Sequence, residues 1–207
     1  MTKKPKTMDE IFRKDRDYRF FEIEARSADI EGGGEELYVE GYALTFNEPT
    51  VLWEYDGVEY KEQIDARAFA DADMSDVIFN YNHGGKVVAR TRNQTLSLTI
   101  DNRGLYIRAR LDGTDEGRKL YQEIRGGYID RMSFSWVTAP NGSEYDATTH
   151  MRTVRKVKKL YDVSAVDIPA YDTTSISARS LVAAEEEIKQ AAQAAEKRKR
   201  LLLKTFC

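Results

Sequence analysis

The chain holds two histidines, His83 and His150, and one cysteine, Cys207, so chemistry that needs an imidazole or a thiol has few arrangements open to it. His83 follows the strand-like run Val77-Ile78-Phe79-Asn80-Tyr81 and precedes Gly84-Gly85, which places an imidazole at a strand end, where rigid scaffolds often carry reactive groups. His150 closes the polar run Ala147-Thr148-Thr149-His150 and reads as a loop residue. Ser133 sits in Met132-Ser133-Phe134-Ser135-Trp136-Val137, 50 residues after His83 (133 minus 83), and Asp162 follows 29 residues later (162 minus 133). A serine hydroxyl becomes a useful nucleophile when a base takes its proton, and the base needs a third group to fix its tautomer and stabilise the imidazolium. Such triads occur in several chain orders, so His-Ser-Asp is admissible. Taken singly, each residue has a plain structural reading, since a lone histidine is usually packed or exposed and a strand serine is usually solvated or bonded to backbone. Their combination is what points to acyl transfer.

The elements that must position these residues are mostly short β-like runs. Phe20–Ala25, Leu37–Leu44 and Val51–Tyr55 are separated by Gly32-Gly33-Gly34 and by Asn47-Glu48-Pro49. Leu96–Ile100 and Leu105–Arg110, joined through Asp101-Asn102-Arg103-Gly104, form the clearest hairpin. Thr114 to Arg125 carries Leu120, Tyr121 and Ile124 at helical spacing, with Thr114 as N-cap and Gly126-Gly127 as stop. In Met132–Val137 the apolar residues alternate to one face and both serines to the other, so a core-facing strand presents Ser133 opposite the apolar face. Val154–Val166 reads as one long strand or a pair, ended by Pro169. From Ser180 the composition turns to Ala, Glu, Lys, Gln and Arg, with a shallow seam of Leu181, Ala184, Ile188, Ala191 and Ala195 interrupted by Arg198, which predicts an appended helix. The expected fold is α+β and β-rich: a mostly antiparallel, barrel-like core with a few flanking helices and a C-terminal helix. The expected organisation is a flexible arm over 1–18, one domain over 19–176 and a helical segment over 177–207.

Composition narrows the function. Hydrophobic residues make up 41% of 207, enough for one cored domain rather than two. A net charge of −3 from 32 basic and 35 acidic residues gives no whole-molecule footprint for nucleic acid or an anionic membrane. One cysteine excludes an internal disulfide framework and a cysteine-based zinc cluster, and no metal or cofactor is expected. Apolar runs fall far short of the ~20 residues that span a bilayer, and Met1–Lys6 lacks a following apolar region of the secretory kind, so a soluble protein acting in the compartment of synthesis is expected.

From about Leu37 to Tyr171 the sequence resembles the prohead maturation proteases of tailed bacteriophages, relatives of the herpesvirus assemblins. The shared landmarks are Gly41-Tyr42-Ala43-Leu44-Thr45-Phe46-Asn47, Glu62-Gln63-Ile64 through Ala68-Phe69, Asn82-His83, Asp101-Asn102-Arg103-Gly104-Leu105, Gly127-Tyr128-Ile129 with Met132-Ser133-Phe134-Ser135, and Asp162-Val163-Ser164-Ala165-Val166 with Pro169-Ala170. The resemblance implies His83 as base, Ser133 as nucleophile and Asp162 as third member, at a position where the family usually has glutamate. Asp167 and Asp172 compete for that role. On a regular strand Asp167 falls on the face opposite Asp162, and Asp172 lies beyond Pro169. Ala89, Arg67 and Ser135 stand where the family commonly has glycine. Arg131 is a candidate oxyanion contact, although a solvated arginine at a strand start is the plainer reading, and backbone donors leave no side-chain signature.

The resemblance further implies cleavage of scaffold or of a removable segment of the major capsid protein, or of both, inside the assembling procapsid in the host cytoplasm, and leaves self-cleavage open. Dimerisation is known among the assemblins, which leaves a homo-oligomer open. The rival reading is a non-catalytic assembly or scaffolding factor of the same fold, with the helix from Ser180 as its interaction element.

Overall fold

The computed structural model describes residues 17–29, 35–55 and 57–167. β1 (Asp17–Glu22) and β2 (Glu24–Asp29) are followed by β3 (Glu35–Thr45), β4 (Thr50–Tyr55) and β5 (Val58–Ile64). Next come β6 (Ile78–Tyr81), β7 (Gly84–Arg90), a 3-10 turn (Thr91–Asn93), β8 (Leu96–Ile100) and β9 (Gly104–Arg110). Helix α1 (Asp115–Arg125) precedes β10 (Arg131–Thr138), β11 (Ser143–Asp146), β12 (Met151–Val154) and β13 (Val157–Val166).

The strands form three sheets, in the orders β1-β10-β13-β6-β7, β2-β3-β9-β8 and β11-β12-β5-β4. Pairing is antiparallel except between β13 and β6 and between β12 and β5. The barrel-like core expected from sequence is therefore corrected: each sheet keeps two edge strands and none closes on itself. The physical reason shows at Ile23. The run Phe20–Ala25 is broken there, Ile23 is buried with its N–H on the carbonyl of Asp130, and the chain passes from the first sheet into the second at that corner. The few flanking helices reduce to α1 and the 3-10 turn among the described residues. The helix expected over 177–207, Pro169 and Asp172 lie outside those residues, as does most of the expected N-terminal arm, and β1 begins at Asp17. No described helix is long and apolar enough to cross a membrane.

Met132, Phe134 and Trp136 are fully buried on one face of β10, as their alternation predicts, and the rings of Phe134 and Trp136 stack 4.6 Å apart. They share one cluster with Val163 and Ala165 of β13, Phe79 of β6, and Leu105, Ile107 and Ala109 of β9. Burying each large apolar side chain contributes roughly 1.5–3 kcal/mol, so this cluster is what holds β10 in place. Helix α1 begins as expected: Thr114 Oγ1 accepts the N–H of Gly117 at 2.9 Å, and Leu120, Tyr121 and Ile124 turn into the core. In the third sheet Arg152 and Glu62 face each other across β12 and β5, both buried, with Nη1 2.7 Å from Oε2, while Arg152 Nη2 donates to Thr138 Oγ1 of β10. That network ties the third sheet to the first.

Candidate active site

In the β6–β7 hairpin Tyr81 pairs with Gly84, which leaves Asn82 and His83 as a two-residue turn. Their φ angles are +49° and +55°, the two left-handed residues of a type I′ turn. Asparagine accepts that conformation readily, whereas the second place is one where glycine is usual. The turn is held from β13. Asn82 N–H donates to the Ala165 carbonyl at 2.9 Å, Asn82 Nδ2 donates to Asp167 Oδ1 at 3.0 Å, and the Tyr81 hydroxyl donates to Asp167 Oδ2 at 2.6 Å. The bond to the Asp167 carboxylate pushes the Tyr81 phenol above its ordinary pKa. The backbone that carries the His83 imidazole is thus tied to β13 and to Asp167 just beyond it.

Register then determines what the ring meets. Antiparallel pairing sets Ser133 of β10 opposite Ser164 of β13 and Ser135 opposite Asp162. Parallel pairing sets Asn80 of β6 opposite the same Ser164. Directly opposed residues share a face, so Ser133, Ser164 and Asn80 form a row across three strands, with Asp162 two residues from Ser164 on the same side. An irregularity falls between Ser135 and Trp136, where the partners step from Asp162 to Leu160, so Tyr161 is the extra residue of the ladder. Every member of the row is buried, although alternation alone would have sent this face toward solvent.

The His83 ring lies against Asp162, with Nδ1 2.5 Å from Oδ1 and side-chain exposures of 17% and 3%. Ser164 Oγ lies 3.1 Å from the same Nδ1 and 3.0 Å from the same Oδ1, accepts the His83 N–H at 3.2 Å and donates to Asn80 Oδ1. Ser133 is one strand away, opposite Ser164, and its buried hydroxyl has no hydrogen-bond partner among the described residues. Ser135 Oγ is in the same state. A buried hydroxyl left unbonded costs about 1–3 kcal/mol, and such groups in a folded protein call for an explanation.

The structure therefore brings His83 and Asp162 into contact and puts Ser133 on the same face in the adjacent strand. His150 is elsewhere, in the β11–β12 turn, its ring 4.9 Å from that of Tyr60 and its Nδ1 3.3 Å from the Tyr145 hydroxyl. Asp167 anchors Tyr81 and Asn82. Arg131 is half exposed with Nε 3.7 Å from Asp130 Oδ1. Sequence reasoning gave no role to Ser164, Asn80, Tyr81 or Asp167 as supports of the histidine. The available signal was the two-residue spacing of Asp162 and Ser164, which puts both on one face of any strand.

A family model described as Caudovirus prohead serine protease matches residues 21–191. Among solved structures, the bacteriophage T4 capsid assembly protease gp21 is 19% identical and aligns with a TM-score of 0.46, over 73% of this chain and 99% of that one. No curated protein matches.

Proposed function

The chain belongs to the Caudovirus prohead serine protease family, and from that premise we propose that it is an endopeptidase with Ser133 as nucleophile, His83 as general base and Asp162 as the acid that orients it. The observation that carries this reading is the contact of His83 Nδ1 with the buried Asp162 carboxylate, on the face that also bears Ser133. A carboxylate only accepts, so it favours the tautomer with the proton on Nδ1 and leaves Nε2 with a lone pair. Nε2 takes the Ser133 proton as Oγ attacks the scissile carbonyl, and Asp162 stabilises the imidazolium that forms. Collapse of the tetrahedral intermediate breaks the C–N bond, the imidazolium returns its proton to the leaving amine, and an acyl-enzyme remains on Ser133. Water then attacks that ester with His83 again as base, releasing the acid and restoring the hydroxyl. The substrates would be scaffold and a removable segment of the major capsid protein inside the assembling procapsid in the host cytoplasm, together with the chain itself.

The test is labelling of the full chain by a serine-directed fluorophosphonate, with co-expression alongside its capsid protein. Wild type is expected to label at Ser133 and to cleave. Ser133→Ala should lose labelling and lower the cleavage rate by about 10⁴-fold or more. A wild-type chain that neither labels nor cuts its capsid protein would establish the assembly-factor reading instead.

A further inference from the structure

We propose that Ser164, seated by Asn80, is a positioning residue that fixes the tautomer of His83 and holds its turn, an inference that rests on the triad reading above. The argument is a count of protons. A serine hydroxyl has one hydrogen to give and two lone pairs to receive with. Asn80 Oδ1 can only accept, so its contact with Ser164 Oγ uses the serine hydrogen. Asp162 Oδ1, 3.0 Å from the same hydroxyl, also only accepts, and it has another donor available in the imidazole 2.5 Å away. With the hydrogen directed to Asn80, the lone pairs of Ser164 face the His83 backbone N–H at 3.2 Å and the ring Nδ1 at 3.1 Å.

Nδ1 thus meets an oxygen of Asp162 and an oxygen of Ser164, neither with a hydrogen to offer it. A lone pair on Nδ1 would be repelled by both, while a hydrogen there is attracted by both. The basic lone pair is accordingly placed on Nε2, the nitrogen a triad needs free for the nucleophile. The bond from the backbone N–H does a second job. His83 occupies a left-handed turn position, and Ser164 ties that peptide to β13 beside the ring it carries. Asn80 and Ser164 are opposed in the β6–β13 ladder, so the support is built from paired strands rather than loop. The same count argues against Ser164 as the nucleophile: its hydrogen is directed to Asn80, and the ring nitrogen it faces is the one that carries a hydrogen toward Asp162.

The experiment uses the full chain, [15N]histidine NMR and the fluorophosphonate. His150→Gln assigns the two imidazoles. Wild type should show the Nδ1-protonated neutral tautomer at His83, whereas the Nε2-protonated form in wild type overturns the proposal without any variant. In Ser164→Ala the label should stay on Ser133, its rate should fall roughly 10–100-fold, by analogy with the loss of a hydrogen-bond partner behind a metal-ligating histidine, and the tautomer preference should weaken. Ser164→Thr keeps the hydroxyl and should restore both toward wild type. Ser164→Ala labelling at the wild-type rate with an unchanged tautomer overturns the proposal, as does a folded Ser164→Thr no better than Ser164→Ala. Label found on Ser164 rejects both this inference and Ser133 as nucleophile. A Ser133→Ala chain that labels elsewhere, while the His83 tautomer is as expected, rejects only the nucleophile assignment.

Discussion

A histidine with φ of +55° is held where side chains with a β-carbon are disfavoured, by about 1–2 kcal/mol for a left-handed residue. Its neighbours make the position tolerable: Asp167 grips Asn82 and Tyr81, Ala165 takes the Asn82 N–H, and Ser164 takes that of His83. Replacement therefore separates chemistry from backbone. His83→Gly and His83→Ala should both fail to label, yet the glycine variant should be more stable by about 1 kcal/mol, because only it relieves the turn. Urea midpoints of the two folded variants check this, and equal midpoints would contradict it. The structure brings His83 into contact with Asp162. As candidates, these two were legible in the sequence because histidine is scarce here and the acid heads a recognisable segment, and Ser133 because it lies in the family-like Met132-Ser133-Phe134 segment. Ser164 and Asn80 were not, because serine and asparagine are common and theirs is a meaning conferred by register, which no local pattern records.

At the scale of elements, the hairpin of β8 and β9, helix α1 and the alternating strand β10 formed where periodicity put them. Others were hidden for identifiable reasons. In β5 the inward residues include Glu62, whose burial depends on Arg152 from the opposite strand, so a core-facing position is spelled with a charge. β7 opens with Gly84-Gly85, residues with little strand propensity, yet Gly84 pairs with Tyr81 of β6. The helix holds a further departure from propensity. Glycine to alanine inside a helix normally gains about 0.5–1 kcal/mol. A β-carbon at Gly117, however, would stand 2.3 Å from the Leu111 carbonyl oxygen, where the chain from β9 enters the helix. Gly117→Ala should destabilise the protein by about 1–3 kcal/mol, the range for forcing extra volume into a packed site. Thermal unfolding measures it, and a raised Tm would show that the entry to α1 can yield.

Across the whole molecule, the segment between β5 and β6 crosses from the third sheet to the first and is secured by carboxylates. Asp73 accepts from Lys159 Nζ at 2.9 Å and from the Ser75 hydroxyl and N–H, while Asp71 meets Lys156 Nζ at 2.8 Å. The Ser75 and Lys159 bonds hold the Asp73 carboxyl far below the usual range, and Lys156 lowers that of Asp71. A carboxyl depressed in the folded state adds stability that is present above its unfolded pKa of about 3.9 and is lost as pH falls through the folded value. Asp73→Asn should therefore be less stable than wild type at neutral pH, with the gap closing as pH drops below about 4. Urea unfolding at pH 7 and pH 3 tests the sign, and a gap that widens in acid would refute it. This long-range order, like the parallel pairing of β6 with β13, was beyond a reading of local pattern, and so was the open arrangement of the sheets. The parallel pair has a temporal consequence. Asp162 is made 79 residues after His83, and β6 has no β13 beside it until then. At the roughly 5–20 residues per second of translation, a growing chain would hold the β6–β7 turn for seconds before Asp162, Ser164 and the rest of β13 emerge, so a fragment cut short before β13 would lack the strand that seats His83.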